Sequence, residues 1–289
     1  MMMNPVLRRE MRTSLRNWRV FGAIMLYVLF VAGGAGIFLY VNMFESYNYG
    51  FDPRNMVYLY AILCAMQMGL VLITTPALAA GSISGERERQ TLDLLLVTKM
   101  SQFSIVIGKL VSSMGLILLM VIATLPIFAV VFYFGGVTLP ALLGMIGFIL
   151  LTACMAGSIS IFFSCIFKRT VISIVMVYLV IGGLCFGTLL ATALYYTSYW
   201  NLYQKDPGLI VPILLLVGNP GVGFFSVIDG QLGTNFVETV FRIYGTQNGW
   251  TNWVVKNYWV VNAAANVAII CFFLAMATYF VNPIKGKRK

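Results

Sequence analysis

A dense group of charged side chains interrupts an otherwise apolar sequence and is the first candidate for chemistry. Residues 81–100 read GSISGERERQTLDLLLVTKM and lie between two long apolar runs. They carry six charged side chains: Glu86, Arg87, Glu88, Arg89, Asp93 and Lys99. Alternating acids and bases can steer a partner and set its register, and the leucines that follow can fill a groove in it. The segment is therefore a candidate docking surface.

Other residue types that could do chemistry are missing or isolated. The chain has no His, and its five cysteines all fall inside apolar runs without metal-ligand spacing. This composition argues against zinc chemistry and against Ser–His or Cys–His catalysis. Gly108 and Lys109 are followed by Leu110, so the Ser or Thr that holds magnesium in a phosphate-binding loop is missing. We expect no ATP site, metal or cofactor on this chain.

The composition indicates what surrounds these residues. Of the 289 residues, 60% are hydrophobic and 10% are charged, and the mean hydropathy is +0.90. Soluble domains carry about 25% charged residues, so the charges here are too few to cover a water-facing surface. The surrounding medium is therefore lipid. The predicted fold is an all-α membrane protein with a single transmembrane domain, residues 1–289.

Six apolar runs are long enough to cross the hydrocarbon layer as helices, which takes about 20 residues each. The predicted spans are 20–41, 56–80, 110–134, 140–167, 170–197 and 257–281. None of their centres holds a charged residue, which argues against a proton- or sodium-coupled carrier and against a voltage sensor. Lys109 stands at the start of the third span, where its side chain can reach the interface.

A few polar side chains remain inside the spans. Gln67 lies in the second span, and Asn262 and Asn266 lie one helical turn apart in the sixth. All three are candidate polar contacts along a transport pathway. For the two asparagines, hydrogen bonding between helices is the alternative interpretation.

The N-terminal residues 5–19 form an amphipathic pattern. Its apolar face carries Leu7, Met11, Leu15 and Trp18. Its basic side includes Arg8, Arg12 and Arg16. A helix with an apolar face and an opposite basic face is suited to lie in the headgroup plane of a membrane. We predict an interfacial helix here; the alternative is a basic flank that only orients the next span.

The basic residues divide unequally between the two sides of the membrane. Six spans place both termini and residues 81–103 on one side, which holds fifteen of the nineteen Lys and Arg residues. The other side holds Arg54, Lys205, Arg242 and Lys256. Loops rich in Lys and Arg stay in the cytoplasm. Both termini and residues 81–103 are therefore predicted to be cytoplasmic, and the net charge of +10 requires no nucleic-acid partner.

The segment between the fifth and sixth spans, residues 198–256, is long and not uniformly polar. It contains two apolar pieces, 209–217 and 219–228, and each is too short to cross a membrane. We predict outer re-entrant helices here, buried against protein or a water-lined cavity. The alternative is a folded loop whose apolar residues pack against one another.

The charged segment also resembles a known family. GERERQTLDLLLVT, residues 85–98, is similar to the pattern Gly-Glu-basic-Glu-x-Gly-Thr-Leu-Glu-x-Leu-Leu between helices two and three of ABC transporter permeases of the ABC-2 type. Gln90 replaces the usual Gly, and Asp93 replaces the usual Glu. The start NPVLRREMR, the triplet Gly108-Lys109-Leu110 and the pair Asn219-Pro220 resemble further segments of this family.

The resemblance implies an exporter membrane domain with six helices, an interfacial helix, a cytoplasmic coupling helix within residues 81–103 and outer re-entrant helices. It also implies ATP-binding subunits that hold ATP and Mg, a second permease copy or a homologous permease, and a plasma (inner) membrane location. The residues expected to couple this chain to the ATP-binding subunit are Glu86, Arg87, Glu88, Arg89, Thr91, Leu92, Asp93, Leu95 and Leu96.

Other functions fit parts of the sequence. A passive channel or a membrane scaffold without an ATPase partner explains the uncharged spans equally well, but it does not explain the 85–98 pattern. In that case the segment would be a solvated loop whose leucines lie on the membrane surface. An intramembrane enzyme is disfavoured because the chain lacks His, paired acids at membrane depth and a nucleophile with a base. The aromatic and Met residues of the spans suit an amphipathic cargo and ordinary packing in lipid alike.

Overall fold

The computed structural model describes residues 18–49, 54–90, 101–134, 137–245 and 249–281; within them helices are joined by turns and short irregular segments, and no strand occurs. The long helices of the first half are α1 (Trp18–Tyr49), α2 (Arg54–Ala79), α4 (Gln102–Ala123), α5 (Leu125–Tyr133) and α6 (Leu139–Ile166), with the short α3 (Ser84–Glu88) after α2. The second half contains α7 (Thr170–Gly182), a π-helix (Gly183–Gly187), α8 (Thr188–Tyr203), α9 (Ile210–Leu216), α10 (Pro220–Leu232), α11 (Phe236–Tyr244), α12 (Gly249–Lys256) and α13 (Tyr258–Phe280).

Six helical stretches of the described residues are long and apolar enough to cross a membrane. They include α1, α2, α4 with α5, α6, α7 with α8, and α13. The predicted all-α membrane fold with six spans is thereby confirmed. Of the predicted interfacial helix, residues 5–17 lie outside the described ranges, and Trp18 begins α1 with 81% of its surface exposed.

Local sequence signals explain where the third span begins and breaks. Ser101 caps α4, since its hydroxyl accepts a hydrogen bond from the Ser104 N–H at 3.2 Å. The helix therefore begins at Gln102, eight residues before the predicted span. At the other end, Thr124 separates α4 from α5, and Pro126 stands in the first turn of α5, where a missing N–H costs nothing.

The chain divides into two compact units. The first comprises residues 1–174 and 273–289, and the second comprises residues 175–272. In the first unit, α2 packs against α1, α4, α5 and α6. One buried cluster of this unit is formed by Ala79, Ile83, Val106, Leu110, Ile161, Cys165, Ala277 and Val281. It lies beneath the start of α3, because Ile83, the residue before α3, is one of its members.

In the second unit, α9 and α10 meet at an angle of 104° around residues 217–219. We call α9 and α10 the bent pair. Side chains of α9, α11, α12 and the start of α13 form a common core of Leu209, Ile213, Leu216, Val237, Phe241, Val254, Val255 and Tyr258. The first apolar piece, 209–217, therefore packs against α11, α12 and the start of α13, while Ile210 and Leu214 on the other face of α9 stay exposed.

Candidate functional site

The described part of the charged segment, residues 80–90, is a tight turn followed by α3. Helix α2 ends at Ala79, the chain turns over residues 80–83, and α3 occupies Ser84–Glu88. Ile83 and Ser84 are almost completely buried, with 1% and 0% of their surfaces exposed. The segment is thus anchored in the first unit rather than held away from it. Four contacts with α4, α6 and α7 explain this anchoring.

The first contact is a helix cap supplied by another helix. Ser164 of α6 accepts hydrogen bonds on its Oγ from the backbone N–H groups of Ile83 at 3.0 Å and Ser84 at 2.9 Å. The first N–H groups of any helix lack partners within that helix, and α3 has no side-chain cap of its own. Ser164 therefore takes the part of an N-cap residue although it lies 80 residues away from Ser84 in the sequence.

The second contact is an ion pair. Glu86 Oε1 lies 2.5 Å from Lys109 Nζ, and the two side chains are 24% and 6% exposed. Lys109 is one of the buried residues of α4. That Lys109 reaches the membrane interface stays a prediction; what the structure contains is a buried ammonium group paired with the carboxylate of Glu86. A buried charge needs such a partner, because burial without one costs several kcal/mol.

The third contact joins α3 to the beginning of α7. Glu88 accepts hydrogen bonds from the Thr170 backbone N–H and from the Thr170 hydroxyl, both at 2.9 Å. Thr170 is the first residue of α7, so the carboxylate lies at the positive end of a helix dipole. Glu88 is solvent-exposed, and its charge is used to cap α7.

The fourth contact is a close approach at Gly81. A Cβ atom at this position would lie 3.0 Å from Thr170 Cγ2, tighter than ordinary van der Waals contact. Ser84 Oγ lies 3.4 Å from Thr170 Oγ1, and Gly85 faces the same hydroxyl. Small residues at 81, 84 and 85 therefore let the segment approach Thr170.

The end of α3 explains the departure from the family pattern at Gln90. Gln90 has φ 57, in the left-handed region, and its N–H donates to the Arg87 carbonyl at 3.1 Å. Glycine is the residue that enters this conformation without strain, and it commonly ends helices in this way. The Gly of the resembled pattern thus suits the backbone found here, and Gln90 adopts the same conformation at a cost.

The remaining predicted coupling residues divide into two groups. Arg89 is exposed and Arg87 is half-buried, so the two guanidinium groups belong to the accessible part of the segment. Thr91, Leu92, Asp93, Leu95 and Leu96 lie outside the described residues. Their role in docking stays a prediction.

The predicted pathway residues fall in different compact units. Gln67 is buried in α2, and its side-chain oxygen has no hydrogen-bond partner among the residues that the structure describes. Asn262 and Asn266 are buried in α13, where Asn266 Nδ2 donates to Asn262 Oδ1 at 3.0 Å. Asn262 Nδ2 in turn donates to the carbonyls of Val217 and Asn219. The structure thus gives this pair hydrogen bonds that join α13 to the backbone at Val217 and Asn219.

Sequence reasoning missed three residues that hold the segment in place: Ser164, Thr170 and, as an ion-pair partner, Lys109. All three stand in or beside apolar spans and carry no local signal, because their partners are 23 to 82 residues away. Asn219 did carry a signal, since an Asn before Pro at a helix start is a common cap. Its Oδ1 accepts from the N–H groups of Gly221 and Val222.

Comparison with known proteins identifies the family of this chain. The family described as ABC-2 family transporter protein matches residues 4–205, which includes the charged segment and the first five long helical stretches. No curated protein matches the chain. The family match covers more than half of the 289 residues. The chain therefore belongs to the ABC-2 family of transporter proteins.

Proposed function

We propose that this chain is the membrane-spanning permease subunit of an ATP-driven ABC exporter, in which separate ATP-binding subunits carry ATP and Mg. Residues 85–98 are the coupling segment, on the cytoplasmic side of the plasma (inner) membrane. The family match supports the transport function. The observation that carries the coupling role is the attachment of residues 81–90 to three helices at once, through Lys109, Ser164 and Thr170.

This attachment gives the segment the mechanical property that coupling requires. A partner that displaces α3 moves α4 through the Glu86–Lys109 pair and α6 through Ser164. It moves the start of α7 through Glu88. Glu86 pairs with Lys109, and the exposed Glu88 accepts hydrogen bonds from Thr170, so we assign docking to the two guanidinium groups, Arg87 and Arg89. These two guanidinium groups dock on acidic or carbonyl groups of the ATP-binding subunit.

The experiment reverses these two charges. The chain is purified in mild detergent from cells that also make the ATP-binding subunit. ATPase activity is then measured with and without a panel of peptides, drugs and lipids. We expect Arg87→Glu with Arg89→Glu to lose the bound subunit or its cargo-stimulated ATPase, while the thermal midpoint of the permease is unchanged. The control is Lys205→Glu, which reverses another exposed cation, in the segment that follows the fifth span.

Two outcomes would contradict the proposal in different ways. If the double variant binds the subunit and couples its ATPase as the wild type does, the docking residues are wrong. If wild-type protein in liposomes conducts solute without ATP and no ATP-binding subunit associates with it, the chain is a passive channel or scaffold.

A further inference from the structure

The apex of the bent pair, residues 217–219, is non-helical backbone inserted between two long helices. A Cβ atom on Gly218 would lie 3.6 Å from Ile269 Cδ1 of α13 and 4.0 Å from Leu184 Cδ2 of the π-helix. Backbone groups outside a helix have no water partners in apolar surroundings, so side chains or other backbone groups must satisfy them. The apex is held by two sets of hydrogen bonds, one to each neighbouring helix.

The first set fixes the apex to α13. Asn262 Nδ2 donates to the carbonyl oxygens of Val217 at 2.8 Å and Asn219 at 2.9 Å. Asn266 Nδ2 donates to Asn262 Oδ1 at 3.0 Å, which orients the Asn262 amide for these two contacts. Asn219, Asn262 and Asn266 each have 0% of their surface exposed. One buried amide thereby donates to the carbonyls at both ends of the apex, those of Val217 and Asn219.

The second set fixes the apex to the fifth span. Asn219 Nδ2 donates to the Cys185 carbonyl and to Thr188 Oγ1, both at 2.8 Å. The Oδ1 atom of the same side chain caps α10. One amide therefore performs two separable tasks: its oxygen begins α10, and its nitrogen ties the apex to the segment around Cys185.

Cys185 lies at the centre of the π-helix Gly183–Gly187. A π-helical turn inserts an extra residue into the helical ladder and is often found at functional sites. Glycine stands at both of its ends, and a Cβ atom added at Gly183 or Gly187 would meet nothing within 4 Å. The turn is thus an irregular point of the fifth span with open space beside the glycine at each end.

From these contacts we infer that Asn219 is a positioning residue for transport: its amide nitrogen locks the apex of the bent pair to the π-helical turn of the fifth span. Release of this lock lets the apex and the fifth span move apart at Cys185. The part played in transport rests on the proposed function, whereas the lock itself is a property of this chain alone. An alkylation rate reports the lock, and ATPase stimulation reports its part in transport.

Two variants isolate the lock from helix capping. Asn219→Asp keeps an oxygen that can cap α10 but loses the N–H donors to Cys185 and Thr188. Thr188→Val removes one acceptor of the lock, the Thr188 hydroxyl, and nearly preserves side-chain shape. Asn257→Asp is the matched control, since within the described residues Asn257 Nδ2 donates only to the Trp253 carbonyl four residues earlier. Thermal unfolding in detergent checks that each variant is folded. If Asn219→Asp does not fold, Thr188→Val alone tests the lock.

The first measurement reports the lock without any ATPase. Cys185 is kept as the single cysteine, the other four being replaced by Ala, and its alkylation rate is followed in membranes. Losing the lock should raise this rate about tenfold in Asn219→Asp and about threefold in Thr188→Val, because weaker hydrogen bonding increases the population of the open form. Asn257→Asp should label like the wild type. Equal rates in all four proteins would overturn the inference.

The second measurement reports the role in transport, in the complex with the ATP-binding subunit. Asn219→Asp and Thr188→Val should retain basal ATPase activity but lose its stimulation by cargo, and Asn257→Asp should keep both. Normal stimulation in folded lock variants would overturn the positioning role. If the wild type has no ATP-dependent activity, the proposed function fails, and the alkylation rates still decide whether Asn219 locks the apex.

Discussion

The carboxylate of Glu88 receives both hydrogen bonds that Thr170 can donate, one from the backbone N–H and one from the hydroxyl, each at 2.9 Å. This arrangement ties the end of α3 to the first residue of α7. An acidic side chain in a segment rich in charge thus serves an internal contact. Glu86 also has an internal partner, because it forms an ion pair with Lys109. The two acids therefore hold the segment, and Arg87 and Arg89 remain accessible.

The Glu88–Thr170 contact predicts a coupling defect without loss of fold. Glu88→Ala removes both acceptors, whereas Thr170→Val removes only the hydroxyl and leaves the N–H. We expect transport per ATP hydrolysed to fall in both variants, more in Glu88→Ala, because motion of α3 no longer reaches α7. The measurement is cargo movement and phosphate release in the same liposomes. Normal coupling in Glu88→Ala would show that α7 follows α3 through other contacts.

The Glu86–Lys109 pair predicts strong coupling between two substitutions. Lys109→Met removes one partner of a largely buried pair and should lower the free energy of unfolding by about 1–3 kcal/mol, below the value for a fully buried pair because Glu86 is partly exposed. Glu86→Gln with Lys109→Met should cost less than the sum of the single changes. Thermal midpoints in detergent measure this, and strictly additive effects would contradict a direct interaction. Glu86→Arg would test this pair rather than docking, so it is unsuitable as a docking variant.

The left-handed conformation of Gln90 predicts that glycine is the better residue at this position. A non-glycine residue at positive φ costs about 1–2 kcal/mol, which glycine avoids. Part of this gain is lost because glycine makes the unfolded chain more flexible and so raises its entropy. Gln90→Gly should therefore stabilise the protein by about 0.5–1 kcal/mol. Gln90→Val should destabilise it, since a β-branched residue fits this φ poorly. The thermal midpoint should rise in Gln90→Gly and fall in Gln90→Val. Shifts in the same direction would argue that residue 90 does not end α3 in a left-handed conformation.

The sequence could predict those features that depend on composition and on short patterns. Apolar runs of membrane length fix six helical stretches, because lipid provides no partners for free backbone groups. The pattern of the charged residues between the second and third spans resembles ABC-2 permeases, and the family that matches the chain is the ABC-2 family. The spacing of Asn262 and Asn266 places both on one face of a helix, as the contact between them shows.

The partner of each polar side chain was decided only by the tertiary structure. Glu86 and Glu88 have the same local setting, yet one meets Lys109, 23 residues away, and the other meets Thr170, 82 residues away. The carbonyls that Asn262 satisfies lie 43 and 45 residues from it. A local sequence pattern indicates which polar groups need partners, because burying an unpaired polar group costs free energy. Which partner it receives depends on how α4, α6 and α7 pack around α3, and on how the bent pair packs against α13.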